Sequence, residues 1–216
     1  MAWVYGDTVP SVTSEGGARL GRQAAYRLAQ LDCCVIEAGL TEAEFARIEH
    51  EYGFEFADDH RAFLAVGLRV HEPREEEPGA SYAWEGPWPD WRNGDPDQLR
   101  QQLNWPVDCL LEDVQGGHWH PAGDERPGSI EAAVDLARTQ LARVPKMIPV
   151  YAHRFLPAGH GTFGHPVLSM WGCDIIQYGT DLLDYPGPSV AKAGHPESPS
   201  CSGATTFEHP PQTTLE

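Results

Sequence analysis

Histidine is the residue type in this sequence best placed to do chemistry. His118 and His120 alternate around Trp119, so on an extended strand both imidazoles project from one face. His153 falls in a second strand-like run, and His160 and His165 follow it in a segment containing Gly and Pro. Two same-face imidazoles and a third from a neighbouring strand make the ligand set of an open zinc site, with water in the fourth position for hydrolysis. The His-x-His spacing is weak, however, and solvated surface histidines are the simpler account. Glu112-Asp113 closes another apolar run, where one carboxylate could face a cleft and move a proton. With 32 acidic residues in the chain, such pairs also arise from composition alone.

Other reaction classes lack their signatures. There is no Gly-rich loop followed by Lys-Ser/Thr, no GxSxG, no HExxH and no GxGxxG. Lys146 and Lys192 are the only lysines, which leaves Schiff-base chemistry little to work with. Cys33, Cys34, Cys109, Cys173 and Cys201 form no CxxC pair and are odd in number, the pattern of reduced thiols acting as small hydrophobes. These absences predict a protein that is not an enzyme and needs no cofactor.

Residues suited to recognition are more evident. Trp84, Trp88 and Trp91 interleave with Pro87, Pro89 and Asp90. Tryptophan is enriched at protein–protein hot spots, and it also pins long loops to a sheet, so recognition and core packing stand as alternatives here. Glu75-Glu76-Glu77 reads as a solvated loop or as an electrostatic contact for a basic partner. Trp119, Glu112 and Asp113 join these as candidate contact residues.

The elements that must position these groups are uneven in clarity. Leu20, Ala24, Leu28 and Leu31 fall on one helical stripe from Ala18 onward. In Leu40-Thr41-Glu42-Ala43-Glu44-Phe45, Thr41 and Glu44 have the spacing of a capping box, and Leu40 and Phe45 that of a hydrophobic staple. Phe45, Ile48 and Tyr52 continue that helix to Gly53. Phe54 and Phe56 form an extended link, and Asp58 opens a second helix that ends at Gly67. Asp95-Pro96 opens a short helix that Trp105-Pro106 should end. Leu110, Leu111 and Val114 then mark a strand, Gln115 to Gly117 a turn, and His118 to His120 a return strand. Ser129 caps a helix with Ile130, Ala133, Val134, Ala137, Leu141 and Val144 on one face. Met147 to Leu156 reads as a strand run, Val167–Trp171 and Asp174–Tyr178 as a hairpin about Gly172, and Thr180 as the cap of a brief helix. Helices, then strands, one helix and more strands give an α+β fold with a mostly antiparallel sheet.

Net charge is −17, which repels phosphate backbones and anionic membranes and steers basic partners. Mean hydropathy is −0.43 and no run approaches a membrane span. Met1 to Pro10 carries neither a basic nor an apolar leader segment, so the expected location is cytoplasmic.

The stretch Gly39 to Leu64, GLTEAEFARIEHEYGFEFADDHRAFL, resembles the opening helical motif of the SUKH superfamily, which groups a fungal cell-wall-assembly regulator with bacterial relatives. The residues that carry the resemblance are Thr41, Glu44, Glu49, Tyr52-Gly53, Phe56, Asp58 and Arg61-x-Phe63-Leu64. It extends through WPDWRNGDPDQL, similar to a bacterial branch, to DIIQYGTDLLDY, and so covers roughly residues 38–185. The resemblance implies helices packed on a curved, largely antiparallel sheet. It also implies a binding role, commonly that of an immunity protein against a polymorphic toxin, many of which are nucleases. A general regulatory or scaffold module is the alternative role. The superfamily has no shared catalytic residues to carry over. Around this core the sequence sets a helix-bearing extension over residues 1–37 and a Pro/Ser/Thr-rich tail over 186–216, whose composition predicts disorder. Pro186-Gly187-Pro188 stands where relatives continue a helix.

Overall fold

The computed structural model describes residues 14–31, 34–70, 88–119 and 125–185. The first helix, α1 (Glu15–Ala29), begins three residues before the Ala18 expected from periodicity, because Ser14 caps it by accepting from the Gly17 amide. Ala24, Ala25 and Leu28 are buried, whereas Leu31 lies past the helix end and is exposed. Gly21 lets α1 approach its neighbour closely: a Cβ there would collide with the Asp59 carbonyl oxygen and the Ala62 side chain. The segment expected as an extension therefore contributes to the same hydrophobic cluster as the rest of the fold.

Strand β1 (Val35–Ala38) leads into α2 (Glu42–Tyr52), and the capping box is present. The Thr41 amide donates to Glu44 Oε2 at 2.7 Å, and the Glu44 amide donates to Thr41 Oγ1 at 3.3 Å. Gly53 ends α2 in the left-handed region at φ 65°. Phe54 and Phe56 are buried before α3 (Asp58–Val66) begins. Gly67 ends α3 but is also the first residue of β2 (Gly67–Val70), which pairs antiparallel with β1. Neither strand was legible from periodicity, since four residues do not establish an alternation.

The largest departure from expectation is α4 (Pro96–Gln115), a single 20-residue helix capped by Asp95, with Pro106 inside it. Pro106 removes the N–H that would reach the Gln102 carbonyl, a defect of about 3 kcal/mol in an isolated helix. Leu99, Gln102, Leu103, Pro106, Leu111 and Val114 are nevertheless buried at helical spacing, and that burial outweighs the local penalty. The expected strand over Leu110 to Val114 is thus helix, and His118 and Trp119 follow it as irregular chain. Helix α5 (Ile130–Leu141), capped by Ser129, packs Ala133, Val134 and Ala137 against Leu111 and Val114. It stops four residues before Pro145, which leaves Val144 past its end and exposed, and Ile130, in its first turn, is exposed as well.

The expected strand from Met147 to Leu156 is a hairpin of β3 (Met147–Tyr151) and β4 (Arg154–Pro157), turned by Ala152-His153 with Ala152 at φ 47°. Strands β5 (Val167–Trp171) and β6 (Asp174–Gly179) form the expected hairpin, with Gly172 at φ 57°. Thr180 to Asp184 is a turn rather than a helix, held by the Thr180 amide and hydroxyl on Asp184 Oδ2. The sheet order is β3-β4-β5-β6, antiparallel throughout. Five helices and two antiparallel sheets among the described residues make the fold α+β.

Candidate protein-binding site

Trp88 and Trp91, the two tryptophans of the aromatic segment among the described residues, are core, not surface. Trp91 is 1% exposed and meets Tyr52, Phe54 and Phe56 edge-to-face at 6.0, 5.9 and 5.6 Å. Trp88 is also buried, with its ring 4.7 Å from Tyr151. The contact role considered for both is replaced by a packing role, the outcome expected when a long loop must anchor itself. Asp90 closes the turn, its Oδ1 accepting from the amides of Arg92 and Asn93. Trp84, Glu75, Glu76 and Glu77 lie outside the described residues.

Arg92 joins the two segments that carry the sequence resemblance. Its guanidinium meets Glu44 through Nε at 2.5 Å and Nη2 at 3.3 Å, and it donates to the carbonyls of Ala38 and Gly39, both at 3.0 Å. The Arg92 hydrogen bond, aided by the Thr41 amide and hydroxyl, pulls the Glu44 carboxyl down to about 2. A folded-state value below the unfolded one stabilises the fold at neutral pH, and the contribution is lost as pH falls from about 4.5 to about 2. Both side chains are about one quarter exposed, so screening holds the effect to roughly 1 kcal/mol. Arg92→Met is expected to remove the Arg92 share of that stability at pH 7 and to make the acid limb of a urea-midpoint-versus-pH curve shallower, the Thr41 bonds to Glu44 remaining. An acid limb as steep as that of the parent chain would contradict the assignment.

Among the described residues the histidines are not assembled as a metal site. His118 is exposed beyond the end of α4, its amide donating to the Asp113 carbonyl at 2.9 Å, so the same-face strand geometry is absent. His120 lies outside the described residues. His153 sits at the β3–β4 turn, with Arg154 Nη1 2.7 Å from its Nε2 and 3.3 Å from its Nδ1. Burial, reinforced by that guanidinium charge, pushes His153 down to about 4. A cation on the imidazole competes directly with a metal. Among the described residues no group of three His, Cys, Asp or Glu could hold one. The loop bearing His160 and His165 is tied down: the Gly161 amide donates to Asp58 Oδ1 and the Gly164 amide to Asp59 Oδ2.

Three of the exposed large apolar residues lie close in sequence on the β5–β6 hairpin. Trp171, Ile175 and Ile176 are 53%, 46% and 45% exposed. Trp171 stands edge-to-face on Trp105 at 5.2 Å and on His153 at 5.7 Å, because both hairpin turns lie at the same end of the sheet. Met170 links them by donating its amide to the His153 carbonyl at 2.9 Å, and Gln102 Nε2 holds the Ala152 carbonyl at 3.2 Å. Asp113, from the last turn of α4, accepts the Cys173 amide through Oδ2 at 2.6 Å. Asp113 and His153 are therefore brought to one place. Glu112 is exposed one residue away, and Trp119 is half-buried against the α4–α5 cluster. Sequence reasoning missed Trp171, Ile175 and Ile176. The available signal was a pair of adjacent isoleucines, which cannot both face inward on a strand.

This end of the sheet offers contact area rather than a reacting group. Burial pushes the Cys109 thiol up to about 11 and that of Cys173 to about 12, the latter helped by Asp113, so neither is a thiolate at neutral pH. An apolar cleft of about 320 Å³ lies between α4, α5, β3 and β5, lined by Leu103, Val107, Leu141, Met147 and Met170. Its basic groups are already engaged, Arg138 by Asp135 and Lys146 by the Tyr52 carbonyl.

Fold and site together define an acidic α+β domain with an exposed aromatic–aliphatic hairpin. Among the described residues no helix is long and apolar enough to cross a membrane. Comparison with protein-family models, with curated proteins and with solved structures returned no match to the chain.

Proposed function

We propose that this chain is a non-catalytic, cytoplasmic protein-binding domain of the SUKH type, an immunity protein that neutralises a basic toxin such as a nuclease. The observation that carries the reading is one face of the hairpin, where Trp171 and Ile176 stand exposed with Asp174 between them in register and Asp113 beside the turn. An aromatic anchor flanked by an aliphatic side chain and rimmed by one sign of charge suits a binding hot spot. A net charge of −17 favours fast, salt-sensitive association with a cationic partner and disfavours nucleic acid and anionic membranes. A nuclease has a cationic surface for its own substrate, which is the complementary charge.

Co-purification with the product of the neighbouring gene tests the reading. The expected result is a stable complex whose association rate falls with added salt. Trp171→Ala should weaken the complex by about 10- to 100-fold with the fold intact, as hot-spot truncations do. A chain that captures no toxin encoded beside it, or a Trp171→Ala variant that binds unchanged, would count against the proposal.

A further inference from the structure

We infer that the outer edge of β6 is a strand-addition site, taking an extended basic segment of the partner protein. The inference rests on the binding reading only for the charge of the occupant. β6 ends the order β3-β4-β5-β6, and no described element pairs with its far side.

The direction of its main-chain groups follows from the hairpin. Trp171 and Asp174 close a two-residue turn, and the next pair is Met170 with Ile175. The Met170 amide donates away from β6, to the His153 carbonyl at 2.9 Å. In an antiparallel ladder that makes Met170–Ile175 a non-hydrogen-bonded pair, so the N–H and C=O of Ile175 point to the open edge. Gln177, two residues on and paired with Leu168, repeats the arrangement.

The two edges of the sheet are treated differently. At the opposite edge, β3 has Pro149 at its centre, a register irregularity beside it, and buried side chains from Ile148 to Val150. These are devices that blunt an edge. β6 is six residues long, with neither Pro nor Lys, and its first four residues are exposed. Its register irregularity falls at the far end, opposite Val167/Leu168, and leaves Asp174 to Gln177 regular.

Charge selects the occupant. Asp174 stands at one end of the edge and Asp181 just beyond the other, with Glu112 and Asp113 beside the turn. The cations facing this region are Arg154, 4.4 Å over the Tyr178 ring, and Arg27, which donates to the Leu183 carbonyl and lies near Asp184. A second copy would bring another net −17 against the first. A strand with alternating apolar and Lys or Arg side chains matches both the edge and its surroundings.

The probe is a fluorescein-labelled peptide of alternating Lys and Val, about eight residues long, with two counterparts: one N-methylated at every second residue, and one with Glu for Lys. Fluorescence anisotropy on the full chain should show saturable binding of the Lys-Val peptide. N-methylation, which removes ladder donors, should weaken it about tenfold or more, and the Glu peptide should not bind. Hydrogen exchange at Ile175 and Gln177 should slow in the complex. Ile175→Pro, at a position that donates nothing to β5, should abolish binding with little change in Tm. Equal binding of the methylated peptide, binding of the Glu peptide, or no binding of any peptide to the parent chain would overturn strand addition. A toxin complex that survives Ile175→Pro would remove this inference and leave the immunity reading standing.

Discussion

Trp91→Ala is expected to lower unfolding stability by about 3–5 kcal/mol, enough to unfold much of the population of a marginally stable domain at 37 °C. The indole is 1% exposed and stands at the meeting of Tyr52, Phe54 and Phe56, so its removal leaves a cavity between rings that cannot collapse together. Its carbonyl also takes Arg47 Nη2 at 2.8 Å, and shifting the main chain here displaces Arg92 from Glu44. The indole nitrogen has no hydrogen-bond partner among the described residues, so Trp91→Phe should restore more than half of the loss. Urea unfolding followed by circular dichroism measures both variants. A loss below about 1 kcal/mol for Trp91→Ala would place the centre of the core elsewhere.

Arg69→Met is expected to cost a similar amount, about 3–5 kcal/mol, because it strands several buried acceptors. The guanidinium is 2% exposed and donates to three main-chain oxygens: Ala25 in α1 at 2.8 Å, Phe63 in α3 at 3.3 Å, and Gly67. It lies 4.0 Å over the Phe63 ring. Methionine fills much of the volume but leaves those carbonyls without their donor, and buried unsatisfied acceptors are costly. Arg69→Lys should recover only part, because an ammonium cannot span three acceptors set in a fork. The same urea unfolding, followed by circular dichroism, measures both variants. Full rescue by lysine would show that the charge matters and the fork does not.

What the sequence made legible depends on how local the cause was. The capping box at Thr41 and Glu44, the Asp95-Pro96 start of α4 and the Gly172 turn were readable, because each is settled by residues within four positions of one another. The continuation of α4 through Pro106 was not: the local signal says stop, and the burial that overrides it comes from α5 and the sheet. The turn at Ala152-His153 escaped for a related reason, since alanine at φ 47° is not a turn signal and the Gln102 bond to its carbonyl is supplied from α4.

The candidate site divides along the same line. The residues that carry the SUKH resemblance hold the fold: Glu49 Oε1 takes the Phe56 amide and Arg61, Glu44 takes Arg92, and Trp91 and Phe56 are core. A motif so committed cannot indicate by itself where a partner sits. The exposed hairpin face could be found only once cross-strand register put Ile176 beside Ser169 and Trp171 beside Asp174. Asp113 was singled out as one of a pair of carboxylates and is placed beside that face, though as an acceptor for the Cys173 amide rather than as a proton carrier.

The proposed role separates a motif that builds the fold from a β5–β6 face that would bind a toxin. Growth protection in cells expressing a candidate toxin, taken from a gene adjacent to this one, tests it. The parent chain is expected to protect, Arg92→Met to protect at a temperature where it remains folded, and Ile176→Lys, equally well folded, not to protect. Absence of protection by the parent chain, or undiminished protection by Ile176→Lys, would contradict it.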